Sequence, residues 1–425
     1  MLKIILVSLI DFSPKINLMT RDERQKLGVH KWISSGCRGT LQWATGTGKT
    51  RAGILAIKTF LTKNKGKKIV VIVPTEYLKV QWSQELSRQG FFNEVDVEII
   101  NSAIKQTTRI DFLILDEVHR IPSDTFYAVF RVRKPGIVLG LSATFSRLDG
   151  RHSMLNGYCP VVDSISIVEA TKNKWLSPYK EYKVLLEPDD IGIYHDHSMQ
   201  FQEAFSFFNF DFQLAMECLT NIIKRRTYGK HMGVSAKELD AIVYTWNRAL
   251  KARKKYVTDH PLKIEVAKKI LAARPFSKAI TFSATIKQAE KFGGYVVHSG
   301  KTKKKNRMTL DEFSSLPNGV IHTAKSLDEG ADIKGLNLAI ILSNTSSRTQ
   351  KTQRVGRVIR YEEGKEAEIF TLVLKGTNEE AWYNTSTAGK HYIEITLSEL
   401  DDILANKEIS APEMIAEESD LLFRI

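Results

Sequence analysis

Short runs of Val, Ile and Leu recur along the 425-residue chain. They are "KIVVIVP" (68–74), "DFLILDE" (111–117), "GIVLGLSAT" (136–144), "KAITFSA" (278–284), "GVIHTA" (319–324), "LAIILS" (338–343) and "AEIFTLVL" (367–374). The runs are nearly continuous rather than alternating, as strands of a parallel sheet buried on both faces would be. Apolar positions at helical spacing lie between several of them, at 50–64, 76–90 and 285–293. Strand, helix, strand in repetition predicts α/β layers with parallel sheets flanked by helices. Two such sets are visible, at 1–165 and 262–390. We expect residues 166–261 to form a linker and a small helical insertion, and 391–425 a C-terminal helix and acidic tail.

Charge sharpens this division. Residues 187–217 hold seven acidic side chains and no Lys or Arg, whereas 224–255 hold ten basic and two acidic ones. Helical spacing in both halves suggests a bundle with segregated charge, either a solvated face or a basic helix against a nucleic-acid backbone. The formal net charge is +14, and residues 1–165 supply +10 of it, which suits a polyanionic partner. Cys37, Cys159 and Cys218 lie too far apart for a disulfide framework or a zinc site. The opening "MLKIILVSLI" is too short to span a bilayer and reads as a first strand or packed arm. The composition points to a soluble, cytoplasmic protein with no membrane partner. "HDH" (195–197) reads as a surface loop, "FSFFNFDF" (205–212) as core of the insertion, and "HSGKTKKKNR" (298–307) as a basic loop that either contacts a phosphate backbone or is a solvated turn, with contact favoured.

The chemistry begins at "LQWATGTGKT" (41–50). A phosphate cradle needs glycines where backbone wraps oxyanions, a lysine for the terminal phosphates and a hydroxyl for Mg2+. Thr45, Gly46, Thr47 and Gly48 form the loop, Lys49 is the phosphate lysine and Thr50 a metal ligand. Trp43 stands where the bare pattern has its first glycine. Downstream, "FLILDEVH" ends an apolar strand with two carboxylates. Asp116 is the candidate metal holder and Glu117 the candidate base for the attacking water. "QRVGRVIR" (353–360) spaces Arg357 and Arg360 three apart, on one helix face. An arginine finger acting on the γ-phosphate is worth about 4–7 kcal/mol.

In this order the segments resemble superfamily 2 helicases and translocases of the DExH type. "ATGTGKT" looks like motif I, "PTEYLKVQW" like Ia, "DEVH" like II, "SAT" like III, "AITFSATIKQAEKF" like IV, "TAKSLDEGADI" like V and "QRVGRVIR" like VI. The resemblance implies two RecA-like domains with ATP and Mg2+ between them, Arg357 and Arg360 reaching across. It implies that Gln25 reads adenine, with Asp22 where relatives often carry an arginine. It places Gly330 and Asp332 near ribose and phosphates, and Thr75 and Thr323 on the backbone of a nucleic-acid strand. His119, Ser142, Thr144 and Gln353 would couple cleft closure to strand movement. The compact plan is similar to the excision-repair helicase branch and to phage branch-migration helicases of the UvsW type. That implies a monomer acting on single-stranded, forked or branched DNA. The motor subunit of a restriction enzyme and an ATP-dependent RNA helicase are the alternatives, along with a binding protein that retains an inactive ATPase fold.

Overall fold

The computed structural model describes residues 19–118, 123–143, 156–324 and 333–415. The first lobe is built on six parallel strands: β1 (Arg38–Trp43), β2 (Ile69–Val73), β3 (Val95–Ile99), β4 (Phe112–Asp116), β5 (Ile137–Ser142) and β6 (Val161–Ile165). Their spatial order is β3-β2-β4-β5-β1-β6. The continuous apolar runs follow from burial on both faces. Ile69, Val71 and Val73 of β2 pack into one core with Phe112 and Ile114, while Val70 and Ile72 pack into another with Leu113 and Leu115. Each such side chain contributes about 1.5–3 kcal/mol, so a strand end is anchored far more firmly than by any single hydrogen bond of about 1 kcal/mol.

The second lobe has eight strands: β7 (Tyr179–Leu186), β8 (Lys278–Ser283), β9 (Tyr295–His298), β10 (Gly319–Ala324), β11 (Leu338–Ile341), β12 (Ala367–Leu374), β13 (His391–Ile395) and β14 (Glu413–Ile415). The order is β14-β13-β7-β12-β11-β8-β10-β9, and only the β13–β14 pair is antiparallel. All seven apolar runs singled out in the sequence are strands.

Two expected boundaries are corrected. The sequence pattern places residues 179–186 in the linker, yet β7 is an inner strand of the second sheet, paired with β12 and β13. Its sequence, "YKEYKVLL", hides this because Glu181 and Lys183 are both 3% exposed. Glu181 meets Lys351 at 2.7 Å and Lys183 meets Glu394 at 2.7 Å, so each buried charge is compensated by a distant residue. The tail likewise holds the helix Leu397–Leu404 as expected, but between two strands of the same sheet.

The insertion lies between β7 and β8 as four helices, Ile191–Ser206, Phe212–Thr220, Ile222–Met232 and Ala236–Asp259. Phe201, Phe205, Phe208 and Trp246 form its core, as the aromatic run predicts. The 24-residue last helix starts in a capping box of Ser235 and Glu238. Among its basic residues, Arg253 turns inward, 4.4 Å from the Phe201 ring centre, while Lys251 and Lys254 stay exposed.

Candidate active site

β1 ends at Trp43, and the chain then turns sharply through Gly46 (φ 90°) and Gly48 (φ 96°), left-handed positions that favour glycine. The helix Lys49–Leu61 starts at once, aiming its N-terminus into the turn. Trp43 is fully buried, donates from Nε1 to Asp163 Oδ2 at 2.8 Å, and lies so close to Gly28 that a Cβ there would sit 2.1 Å from its ring. It therefore locks the first helix, Arg21–Ser34, onto β1 and β6, a packing role that a glycine could not fill. Burial works against the charge of Asp163, but hydrogen bonds from Arg24, Lys31 and Trp43 outweigh it and hold the pKa below its ordinary value.

A cleft of about 720 Å3 opens over this turn, lined from both lobes. The first lobe contributes Arg21, Thr45, Gly46, Gly48, Lys49, Thr50, Asp116 and Glu117, the second Lys334, Gln353, Arg357, Arg360, Tyr361 and Glu362. The volume suits a nucleotide-sized ligand. Five cationic side chains against three carboxylates suit a polyphosphate. The lobes touch beside the cleft: a Cβ on Gly356 would lie 2.4 Å from Thr45 Cβ, and one on Gly46 would lie 3.4 Å from Arg360 Cγ.

Within the cleft, Lys49 Nζ donates to the Trp43 carbonyl at 3.2 Å. The Thr45 hydroxyl is buried with no partner among the described residues. Asp116, 5% exposed at the end of β4, is held on both oxygens: Trp82 Nε1–H donates to Oδ2 at 2.7 Å and the Glu117 N–H to Oδ1 at 3.0 Å. Burial and the neighbouring Glu117 push the Asp116 carboxyl up to about 6. Glu117 itself takes a left-handed φ of 49°, a strained conformation for a non-glycine residue that turns its side chain toward the cleft. Hydroxyl and carboxylate oxygens gathered at one wall are hard donors, the set that Mg2+ prefers. A site made with phosphate oxygens needs no cluster of three protein ligands, and among the described residues there is none.

Arg357 sits in the helix Arg348–Val358, whereas Arg360 lies just past its end, where it bridges to Leu176. The two thus share the cleft without sharing a helix face. Burial lowers the pKa of Arg360, and nearby Arg21 adds to the effect. Arg354 points away, donating to the Ser343 carbonyl at 2.9 Å and lying over the Phe282 ring.

Other expected residues sit elsewhere. Gln25 is 5% exposed and donates from Nε2 to the Thr47 carbonyl at 3.0 Å, so it braces the turn rather than facing the cleft. Arg21, four residues earlier, is the one that lines it, donating to the Gly46 carbonyl at 2.7 Å. Thr75 caps the helix Glu76–Arg88 by accepting from the Leu78 N–H at 3.4 Å, which leaves its own O–H to donate. Thr323 is corrected: it is 2% exposed and gives its hydroxyl to the Thr281 carbonyl at 2.9 Å, so it presents nothing to a strand. Ser142 is fully buried at the end of β5, and Gln353 lines the cleft. His119, Thr144, Gly330 and Asp332 lie outside the described residues, as does the opening apolar run. Trp82 closes the motif-like segment "PTEYLKVQW" but had no role expected of it, and Lys334 and Tyr361 carry no pattern that would have marked them. Arg21 had a weak signal, its spacing to Gln25. Lys303, Lys304 and Lys305 of the basic cluster are exposed on the first turn of the helix Lys303–Ser315.

Residues 262–362 match the model of the helicase conserved C-terminal domain, and residues 19–108 that of the type III restriction enzyme res subunit. The DNA 3'-5' translocase XPB2 of Sulfurisphaera tokodaii is 24% identical over 375 residues, covering 83% of this chain and 81% of that protein. The chain is a superfamily 2 helicase. Solved structures agree in fold with this helicase. The Pyrococcus furiosus Hef helicase domain superposes with a TM-score of 0.53 at 16% identity, covering 87% of this chain and 99% of that one. S. cerevisiae Dbp5 bound to RNA and ADP BeF3 gives 0.58 at 14% identity, over 90% and 91%. The helicase has the two RecA-like domains of its neighbours and is an ATP-dependent nucleic-acid enzyme. Among its described residues no helix is long and apolar enough to cross a membrane.

Proposed function

We propose that this helicase is a DNA translocase that hydrolyses ATP with Mg2+ and remodels forked or branched DNA, working as a cytoplasmic monomer. The observation that carries the reading is the single cleft in which Lys49, Thr50, Asp116 and Glu117 of one lobe face Gln353, Arg357 and Arg360 of the other. Lys49 and the N–H groups at the start of its helix hold the terminal phosphates. Thr50 and Asp116 would hold magnesium, which would supply neutralisation of phosphate charge when bound. Glu117 takes a proton from water in line with the γ-phosphate. Arg357 and Arg360 meet the charge that develops there, and only when the lobes are together. Arg21 supplements them at the loop.

Hydrolysis removes the group that both lobes hold, so the lobes loosen. If each grips the sugar-phosphate backbone, the cycle advances one strand. Backbone gripping gives weak sequence preference and strong salt dependence. The match to a DNA translocase across most of both chains, and the basic first lobe, support DNA. The match to a restriction-enzyme subunit over residues 19–108 supports the motor-subunit reading as the second choice.

One panel tests both. ATP hydrolysis is measured with single-stranded, duplex, forked and four-way DNA, and with RNA. Strongest stimulation by forked or four-way DNA is expected. Equal stimulation by plain duplex favours a restriction-type motor, and stimulation by RNA alone overturns the DNA reading.

A further inference from the structure

We propose that Trp82 is a positioning residue for Asp116: its indole fixes the carboxylate that would hold magnesium and so sets the metal requirement of hydrolysis. This rests on the reading of Asp116 as the metal holder.

Trp82 lies in the helix Glu76–Arg88 and is 1% exposed. Its Nε1–H donates to Asp116 Oδ2 at 2.7 Å, and the Glu117 N–H takes the other oxygen at 3.0 Å. The carboxylate is thus clamped about its last rotatable bond, with lone pairs remaining on both oxygens. The far edge of the ring rests on Gly53 in the helix that follows the phosphate loop. A Cβ at Gly53 would lie 2.6 Å from indole Cη2, so only glycine leaves room for the ring. One side chain therefore touches the phosphate-loop helix, the end of β4 and the helix that Thr75 caps.

Packing alone does not account for this choice. A phenylalanine would fill much of the same apolar space but carries no donor. Buried indole N–H groups usually find an acceptor: Trp32 and Trp175 use the carbonyls of Val138 and Met19 and Trp43 the structural carboxylate of Asp163, whereas Trp246 has none among the described residues. Trp82 instead meets a catalytic-wall carboxylate. A hydrogen bond to an ionised acceptor is shorter and stronger than a neutral one, and outer groups that orient metal ligands typically alter metal affinity by about 10–100-fold when removed.

The test is Trp82→Phe in the full chain. The Mg2+ concentration for half-maximal ATP hydrolysis should rise about 10-fold or more. Binding of a fluorescent ADP analogue should need correspondingly more Mg2+, yet be unchanged in EDTA. A residue that only fills space would lower the melting temperature and leave the Mg2+ midpoint at its wild-type value, and that result overturns the proposal. Gly53→Ala serves as the second variant, since it displaces the ring while keeping the N–H donor. If Trp82→Phe does not fold, a raised Mg2+ midpoint in Gly53→Ala supports the proposal and a wild-type midpoint overturns it. Asp116→Asn separates this idea from the reading beneath it. If that variant hydrolyses ATP with the wild-type Mg2+ dependence, the metal assignment itself fails, whatever Trp82 does.

Discussion

The first lobe presents Asp116 at the end of β4, a strand whose interior is uncharged, and Lys49 at the start of the helix after β1, whereas the second presents Gln353 and Arg357 on a helix backed by buried charges. Behind that helix, Lys351 meets Glu181 at 2.7 Å, donates to the Thr371 hydroxyl at 2.6 Å and lies 4.8 Å from the Tyr383 ring centre. Lys390 reaches the Thr352 hydroxyl on the same helix at 3.0 Å. Nearer the loop before it, Lys263 and Glu379 form a pair with no exposure at all, and Glu379 also accepts from the Asn344 and Leu374 N–H groups. Both designs hold a side chain in place. The apolar one depends on area, which pH does not change. The ionic one depends on partners, and losing one partner strands the other.

The comparison can be broken in several ways. The largest effects lie in the cleft, where both lobes are needed together. Arg357→Ala should keep nucleotide binding and lose about 10³-fold in hydrolysis, or about 4 kcal/mol. Lys49→Ala should abolish turnover while nucleic-acid binding persists. Steady-state hydrolysis and binding titrations check both, and an unchanged kcat in either variant would remove that residue from the chemistry.

Next come the supports. Lys351→Met should destabilise the protein by about 3–5 kcal/mol, because it leaves Glu181 buried and unpaired. Adding Glu181→Gln should recover part of that loss. In the first lobe, Ile114→Ala should cost about 2–5 kcal/mol through its cavity. Urea unfolding at several pH values distinguishes the two designs: the Ile114 penalty should be flat with pH.

A smaller effect concerns Lys390. Burial, aided by Lys351 and Arg348 and opposed by Glu181, pushes its ammonium down to about 8. The unfolded chain keeps that proton to about pH 10.5. Between these values the unfolded state binds more protons, so this group's contribution to stability rises with pH. The cost of its buried charge is fully present below about pH 8. Melting curves of Lys390→Met should lack that rise, and a wild-type slope would count against the assignment. The smallest effect is on the insertion. Lys251→Glu with Lys254→Glu should weaken DNA binding and flatten its salt dependence; an unaltered slope would make that surface merely solvated.

How legible a region was in the sequence follows the same divide. β2, β4 and β5 announce themselves because an apolar strand needs only its own residues to be recognised, and the glycine-rich turn after β1 because its glycines and lysine are contiguous. Arg357 was legible as a cation at helical spacing. β7 was not, because Glu181 and Lys183 look like surface residues until Lys351 and Glu394 are placed beside them. Thr323 failed for another reason: the family resemblance placed it on a nucleic-acid strand, but a backbone carbonyl of the neighbouring strand takes its hydroxyl. Gln25 and Arg21 exchanged places because the pitch of the first helix, not spacing along the chain, decides which side chain faces the cleft.

The sequence by itself therefore determined the two α/β halves, the order of their motif-like segments and the glycine-rich turn over which the cleft opens. These are local properties, written in consecutive residues whose burial and backbone needs are self-evident. Only the tertiary structure decided that Trp82 reaches Asp116, that β7 belongs to the second sheet and that Arg21 rather than Gln25 borders the cleft. Each depends on a partner far away in the chain, and a charge or an indole N–H has no meaning for stability until that partner is in place.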